Sequence, residues 1–223
     1  MENINNISKL TDEEKIKTVL ANFNDIAKDY VINFWNDTCD NKYIDVFLND
    51  LPGKKILDLG CGIGKDEYYI SNKGYDIIGI DFAENVIKEA KNKFPRCKFE
   101  IKDLTDLNYP SNSFDGIIFI NTLFHIPEKK LFNTFKNINR ILKSNGKMLM
   151  IFQEGEKEFL QEEPLKKGNY VYMHEYTFEF INSVLNAHNL KIYNFERENV
   201  NDKNCPINKK LILYIEKRIK KFS

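Results

Sequence analysis

ILDLGCGIG, residues 56–64, is the stretch that decides the fold of this chain. A short apolar run ends there in three glycines, Gly60, Gly62 and Gly64, which are separated by single residues. Glycines at the junction of a strand and a helix let the backbone turn tightly and bring its N–H groups close to a ligand, where a Cβ atom would obstruct. We therefore predict a strand, a ligand-binding loop and a helix, with the ligand beyond the carboxyl end of the strand.

The segments around this stretch alternate between short apolar runs and amphipathic runs. Strands are predicted at 55–59, 76–80, 98–101, 114–120, 146–152, 191–196 and 211–216, and helices at 65–73, 83–94, 128–142 and 177–188. This alternation predicts an α/β fold with a Rossmann-like, seven-stranded, mostly parallel sheet and helices on both faces. The turn Cys205-Pro206 suits a hairpin, so the last strand is expected to be antiparallel.

Helical periodicity also occurs before the sheet begins. Thr11 and Glu14 form the pattern of a capping box, and apolar residues then recur at steps of three and four. A length of 223 residues suits one domain with a small cap. We therefore expect an N-terminal helical cap over 1–51 and a sheet domain over 52–223, with a charged substrate loop near 153–176.

The charge balance and the polar residues exclude several classes of protein. Lys plus Arg and Asp plus Glu each total 33, which disfavours binding to nucleic acid or to an anionic membrane. No apolar stretch approaches the length of a membrane span, and the first residues do not form a secretory signal. The four cysteines form no CxxC pair and the three histidines have no zinc-type spacing. We expect no metal site and a reducing, cytoplasmic setting.

An acid next to the glycines indicates the chemistry of the ligand. Asp58 stands two residues before Gly60, and the GxGxG spacing differs from the GxGxxG of dinucleotide sites. A carboxylate repels a diphosphate but favours an ammonium group, which S-adenosylmethionine carries and NAD does not. The segment resembles the D/E-x-G-x-G-x-G motif of the class I S-adenosylmethionine-dependent methyltransferases. The resemblance implies S-adenosylmethionine as cofactor, S-adenosylhomocysteine as product, and cofactor-binding roles for Asp58, Gly60, Cys61, Gly62 and Gly64.

The ends of the next strands carry further candidate cofactor contacts. Asp81 follows the glycine loop by about 20 residues and can accept hydrogen bonds from both ribose hydroxyls, with Phe82 packed on adenine. The alternative is that Asp81 caps the next helix. The resemblance implies that Asp103 binds the adenine amino group and that the Leu104 N–H binds a ring nitrogen; a solvated aspartate is the alternative. It also places Asn121 beside the methionine portion of the cofactor.

Methyl transfer is an in-line displacement, so the protein must position the acceptor opposite the sulfur and exclude water. His125 follows the fourth strand and is the candidate general base, because its ordinary pKa lets it accept a proton near neutrality. The alternative is that His125 packs against the donor or caps the next helix. The sequence also leaves open that no base is needed and that holding donor and acceptor close together supplies most of the methyl-transfer rate.

The remaining candidate residues are expected around the donor and the acceptor. We predict that Tyr30 contacts the donor and that Phe34 and Trp35 line the substrate pocket, where aromatic rings attract a cation. The alternative for these rings is a helix core. Glu154, just past the fifth strand, and His174, in an alternating segment, complete the predicted substrate pocket. Their alternatives are a solvated charge and an exposed strand residue.

The residues after the fourth strand bear on the class of acceptor. Asn121-Thr122-Leu123-Phe124 lacks the two prolines found in enzymes of this fold that methylate exocyclic base amines, and no cysteine follows for cytosine chemistry. With zero net charge, this favours a small-molecule acceptor and no nucleic-acid partner. The oligomeric state is left open between a monomer and a homodimer. Methylation of RNA or protein, and an inactive S-adenosylmethionine-binding subunit, remain the alternatives.

Overall fold

The computed structural model describes residues 7–199 and 209–218. The helices are α1 Asp12–Phe34, α2 Asn41–Asn49, α3 Lys65–Ser71, α4 Glu84–Lys93, α5 Glu128–Ile141 and α6 Phe178–Ala187. The strands are β1 Lys55–Leu59, β2 Asp76–Asp81, β3 Lys98–Ile101, β4 Phe114–Ile120, β5 Leu142–Gln153, β6 Glu158–Glu162, β7 Tyr170–His174, β8 Leu190–Asn199 and β9 Lys209–Lys217. The predicted turn at Cys205-Pro206 lies outside the described residues.

Seven strands form one sheet in the order β3-β2-β1-β4-β5-β9-β8. Strands β1 to β5 pair in parallel, while β9 is antiparallel to both β5 and β8. The predicted Rossmann-like, mostly parallel sheet with an antiparallel last strand is therefore confirmed. The strand order reverses between β1 and β4, and in such sheets the reversal opens a ligand-binding crevice at the carboxyl ends.

The two faces of the sheet are covered by different helices because its central strands are apolar on both sides. Along β5, Met148 and Met150 pack with the buried residues of α5 and α6. The alternate residues, Leu149 and Ile151, pack with those of α2 and α3. Helix α2 therefore belongs to the core of the sheet, although it precedes the first strand in sequence.

Helix α1 begins with the predicted capping box. The Glu14 N–H donates to the Thr11 hydroxyl at 3.2 Å, and the Thr11 N–H donates to the Glu14 carboxylate at 2.8 Å. The helix packs against α4 and β7 rather than against the central strands. Within the described residues, neither α1 nor any other helix has the length and apolarity that a membrane crossing requires.

The segment predicted as a charged loop near 153–176 contains the antiparallel pair β6–β7. Many of its polar side chains bond to α1. Lys15 pairs with Glu158 at 2.6 Å, and the buried Asn22 amide donates to Glu163 at 2.7 Å. Charges that suggest a solvated loop in the sequence thus connect this hairpin to the N-terminal helix.

Candidate functional site

A cavity lies at the carboxyl ends of the parallel strands, where α1 covers them. The predicted cofactor contacts in its wall are Tyr30, Gly60, Cys61, Gly62, Asp81, Phe82, Asp103, Leu104 and Asn121. The wall also contains His125, the candidate base, and Phe34 from the predicted substrate pocket. Because the carboxyl ends of parallel strands meet at one edge of the sheet, segments far apart in sequence share this cavity.

Two predicted pocket residues point to other partners. The Trp35 ring is 41% exposed and packs against the Lys93 ammonium, 3.9 Å from the ring centroid. The Glu154 carboxylate forms a bidentate ion pair with Arg197 at 2.7 and 2.9 Å. Neither Trp35 nor Glu154 lies in the cavity wall.

His174 and Gly64 also lie outside the cavity wall. His174 Nδ1 is 3.3 Å from the Tyr172 hydroxyl, and the ring lines a separate cleft beside the start of α1. Gly64 has a φ of +81°, and a Cβ atom there would overlap the Phe99 ring. Gly64 is therefore required by the turn into α3 and by its packing.

Gly62 is the glycine whose missing side chain faces the cavity. Its φ is +52°, and a Cβ atom would lie 3.4 Å from the Tyr30 ring. The Gly62 N–H donates to the Asp81 carboxylate at 3.1 Å. The glycine loop is thus held between the end of β2 and the aromatic face of α1.

Asp81 joins the loop to the next helix. Its second carboxylate oxygen accepts from the Ala83 N–H at 2.9 Å, and Ala83 rather than Asp81 is the N-cap of α4. Burial raises the pKa of Asp81, while the backbone N–H groups of Ala83 and Gly62 act in the opposite direction. Each carboxylate oxygen retains acceptor capacity, so Asp81 is able to receive a pair of hydroxyl donors from the cavity.

Asp103 and Asn121 lie on either side of this acid. Asp103 Oδ1 accepts from the N–H and the hydroxyl of Thr105, both at 2.8 Å, which fixes the carboxylate at the end of β3. Asn121 directly follows β4 with a φ of +53°, and its side-chain oxygen is buried without a partner among the described residues. Its amide nitrogen donates to Asp40 at 3.3 Å.

Asp40 belongs to a buried ion pair that sequence reasoning missed. Its carboxylate lies 2.7 Å from the Lys210 ammonium, and the two side chains are 1% and 8% exposed. The pair lies behind Asn121 and connects the start of α2 to β9. Nothing in the sequence indicates this contact, because the two residues are separated by most of the chain.

Asp58 does not reach the cavity. It is 2% exposed and adjoins Glu67, which is fully buried on α3. Neither Glu67 oxygen meets a hydrogen-bond donor among the described residues, so the two carboxyl groups can bond only if one is protonated. Burial raises the pKa of both groups well above their ordinary values, and the Asp58 charge adds to this effect at Glu67. Glu67 is therefore the protonated partner behind the glycine loop.

The variant Glu67→Gln is expected to gain stability relative to the wild type as the pH rises from 5 to 8. The folded wild type holds the Glu67 proton more tightly than the unfolded chain, so its stability falls as the pH rises above the ordinary range of a glutamate. Glutamine does not titrate, and the difference in unfolding free energy should change by more than about 1 kcal/mol. Urea unfolding at both pH values measures it. The exposed Glu196→Gln is the control. If Glu67→Gln changed the free energy of unfolding by the same amount at both pH values, the result would contradict a proton shared between Glu67 and Asp58.

Opposite charges directly after the glycine loop do face the cavity. Lys65 and Asp66 line it, and their charged atoms are 3.2 Å apart. The sequence contains this signal, since both residues follow Gly64 immediately. The acid in the cavity wall beside the loop is thus Asp66, whereas Asp58 lies behind the loop.

His125 is held in one tautomer by the backbone. Its Nδ1 lies 2.8 Å from the Tyr172 carbonyl oxygen, which can only accept, so Nδ1 carries the proton. The rings of Phe23 and Phe124 pack on it with centroids 5.2 and 4.6 Å away. Burial lowers the pKa of His125 to about 4. At neutral pH the imidazole is therefore uncharged, with its lone pair on Nε2.

Comparisons with known proteins agree with this geometry. A family model described as "Methyltransferase domain" matches residues 56–146. Phosphoethanolamine N-methyltransferase 1 of Zea mays is 40% identical over 108 residues, which are 46% of this chain and 21% of that protein. The ubiquinone biosynthesis O-methyltransferase of Coxiella burnetii is 28% identical over 154 residues, 62% of this chain and 63% of that protein. The chain thus spans about a fifth of the plant relatives' length.

Solved structures share the fold across nearly the whole chain. The 1,6-didemethyltoxoflavin-N1-methyltransferase of Burkholderia thailandensis superposes with a TM-score of 0.73 at 17% identity, covering 94% of this chain and 92% of its own. An S-adenosylmethionine-dependent methyltransferase of Methanosarcina mazei gives 0.71 at 19% identity, covering 80% and 98%. Residues 56–146 therefore match a methyltransferase domain, and the chain shares the fold of S-adenosylmethionine-dependent methyltransferases, as the motif at residues 56–64 predicts.

Proposed function

We propose that this protein transfers the methyl group of S-adenosylmethionine to a small-molecule acceptor and releases S-adenosylhomocysteine. One observation carries the proposal: Asp81 bonds to the glycine loop and shares a cavity with Asp103 and Asn121. Asp103 follows β3, Asp81 ends β2 and Asn121 follows β4, so the three groups lie along the sheet edge in the order β3, β2, β4. A nucleoside joined to an amino acid would meet them in that order, with adenine at Asp103, ribose at Asp81 and the amino acid at Asn121.

The cavity fits the donor at three points that do not depend on the resemblance. Gly62 leaves a space beneath Tyr30 that a side chain would fill. The buried side-chain oxygen of Asn121 has no donor among the described residues, and the ammonium of the donor's amino acid end would satisfy it. Lys65 and Asp66 present opposite charges to the same cavity, as a zwitterion requires.

The chain's own residues would bind, orient and shield the reactants. Asp81 would accept the ribose hydroxyls, and Asp103 with the Leu104 N–H would bind adenine. Helix α1 together with the β6–β7 hairpin would form the cap that excludes water. This cap differs from the expected division at residue 51, because α2 packs into the sheet core.

A small molecule is the favoured acceptor. The relatives' names specify phosphoethanolamine, ubiquinone biosynthesis and 1,6-didemethyltoxoflavin, and the formal net charge of this chain is zero. The fold alone does not determine the reaction, since one neighbour with a TM-score of 0.61 is named a [4+2]-cyclase. Transfer must therefore be measured directly.

The test combines calorimetry with a transfer assay. Purified protein is titrated with S-adenosylmethionine and with S-adenosylhomocysteine, and is then incubated with methyl-labelled donor and a metabolite extract, total RNA or total protein. Label in the metabolite pool is expected. Label in RNA or protein would overturn the acceptor class, donor binding without transfer would indicate an inactive subunit, and absence of binding would overturn the proposal.

A further inference from the structure

Part of the cavity wall is apolar. It is formed by Val19 and Phe23 of α1 and by Ile126 and Pro127, which follow β4. Val19 is 2% exposed and Ile126 is 4% exposed, so this wall is part of the protein interior. A molecule placed here gains from burying apolar surface and finds few polar partners.

Both lysines that line the cavity have partners, and the Lys65–Asp66 pair is assigned above to the zwitterionic end of the donor. The Lys65 ammonium lies 3.2 Å from Asp66, and the Lys102 ammonium donates to the Asn108 side chain at 2.9 Å and lies 3.6 Å from Glu100. Among the described residues, no arginine lines the cavity. A phosphate or carboxylate group on the acceptor would therefore be buried without a matching charge, which is strongly unfavourable.

His125 supplies the polar contact beside this apolar wall, because its ring packs against that of Phe23. Its Nδ1–H is committed to the Tyr172 carbonyl, and its Nε2 has no hydrogen-bond partner among the described residues. An uncharged imidazole in this tautomer can only accept at Nε2. It recognises a molecule that offers an O–H or N–H group, and it does not attract an anion.

We infer that the acceptor is a neutral, largely apolar molecule that presents one hydroxyl or N–H group to Nε2 of His125. The inference rests on the proposed methyl transfer and restricts its substrate class. The acceptor oxygen or nitrogen bonds to the methyl carbon while the carbon–sulfur bond breaks and leaves its electron pair on sulfur. The acceptor proton passes to His125 Nε2 and then to solvent. Phosphoethanolamine, which is named in the plant relatives, carries a phosphate and is therefore not expected to be the acceptor.

The first test separates acceptors by charge. Protein with methyl-labelled S-adenosylmethionine is given either phosphoethanolamine or a protein-free metabolite extract that has been divided into a neutral, solvent-extractable fraction and an anion-exchange-retained fraction. Label is expected in the neutral fraction and not in phosphoethanolamine. Label in phosphoethanolamine or in the anionic fraction would overturn this inference and leave the methyltransferase function standing. Absence of label in every pool would overturn both.

The second test removes the proposed base. His125→Ala should lower kcat on the neutral fraction by about a hundredfold or more while donor affinity stays the same. The wild-type rate should be flat between pH 6 and 9, whereas the variant's rate should rise with pH, because its acceptor must ionise unaided. The charged and titratable groups beside Tyr172 are Lys15 and Glu158, which pair with each other at 2.6 Å, and His174, whose pKa is lowered by burial. A purely structural role predicts no such change in the pH profile.

Two further variants keep this test decisive. His125→Asn retains a polar side chain of similar size if alanine prevents folding, and it should show the same pH profile as His125→Ala. His188→Asn, at the end of α6, is the matched control and should keep the wild-type rate and profile. Wild-type turnover in both His125 variants would overturn the assignment of the acceptor contact.

Discussion

Replacing Asp81 with alanine is expected to weaken the binding of S-adenosylmethionine by at least about a hundredfold. A hydrogen bond to a charged group contributes about 1.5–3 kcal/mol, and the carboxylate would accept one from each ribose hydroxyl. The variant also loses the bonds to the N–H groups of Gly62 and Ala83, which hold the glycine loop against α4. Calorimetric titration with S-adenosylhomocysteine measures the change without turnover.

Asp76→Ala is the matched control, because it removes the same side chain from the other end of β2. Asp76 forms an exposed ion pair with Lys98 at 2.5 Å, far from the cavity. Its loss should leave donor affinity unchanged. If both variants bind equally weakly, the effect arises from damage to the strand, and if Asp81→Ala binds normally, the ribose assignment is wrong.

Replacing Lys210 with methionine is expected to lower the free energy of unfolding by about 3–5 kcal/mol. The substitution leaves the Asp40 carboxylate, whose side chain is 1% exposed, buried without its cation. The remaining Asn121 amide, at 3.3 Å, is too weak a partner to compensate. Urea unfolding at pH 7 measures the loss.

The exposed pair Lys42–Glu198 supplies the control for this prediction. It has a similar separation of 3.0 Å, but its side chains are 60% and 38% exposed, so Lys42→Met should cost less than about 1 kcal/mol. The double variant Asp40→Leu with Lys210→Met should recover stability, because no charge is then left buried. Equal losses in Lys42→Met and Lys210→Met would refute the argument from burial.

The fold could be predicted closely because its local signals agree. The apolar runs at β1, β3 and β4 have the predicted bounds, since glycines or polar turns end them on both sides. The beginning of β5 could not be predicted: the strand starts at Leu142, directly after α5, whereas Gly146 resembles a turn. The alternation around His174 indicates the strand β7, but β6 and its pairing with β7 could not be predicted, because the charges of this segment are satisfied by α1, which is distant in sequence.

In the candidate site too, some features follow from a single segment of sequence, whereas others depend on residues that are distant in sequence. The spacing of the glycine loop and Asp81 is local and predicts a shared cavity. The burial of Asp58 depends on its contact with Glu67 of α3, which is also buried. The orientation of His125 depends on the Tyr172 carbonyl. No pattern within a single segment contains these contacts.

The position of β9 has a consequence for how the protein is made. This strand lies between β5 and β8, and within residues 7–199 and 209–218 it is the only strand that pairs with β8. During synthesis, residues 190–199 leave the ribosome with their backbone N–H and C=O groups unpaired and must wait for residues 209–217. A nascent chain stalled before that point would expose the edge of β5. This apolar edge could then pair with another chain or be bound by a chaperone.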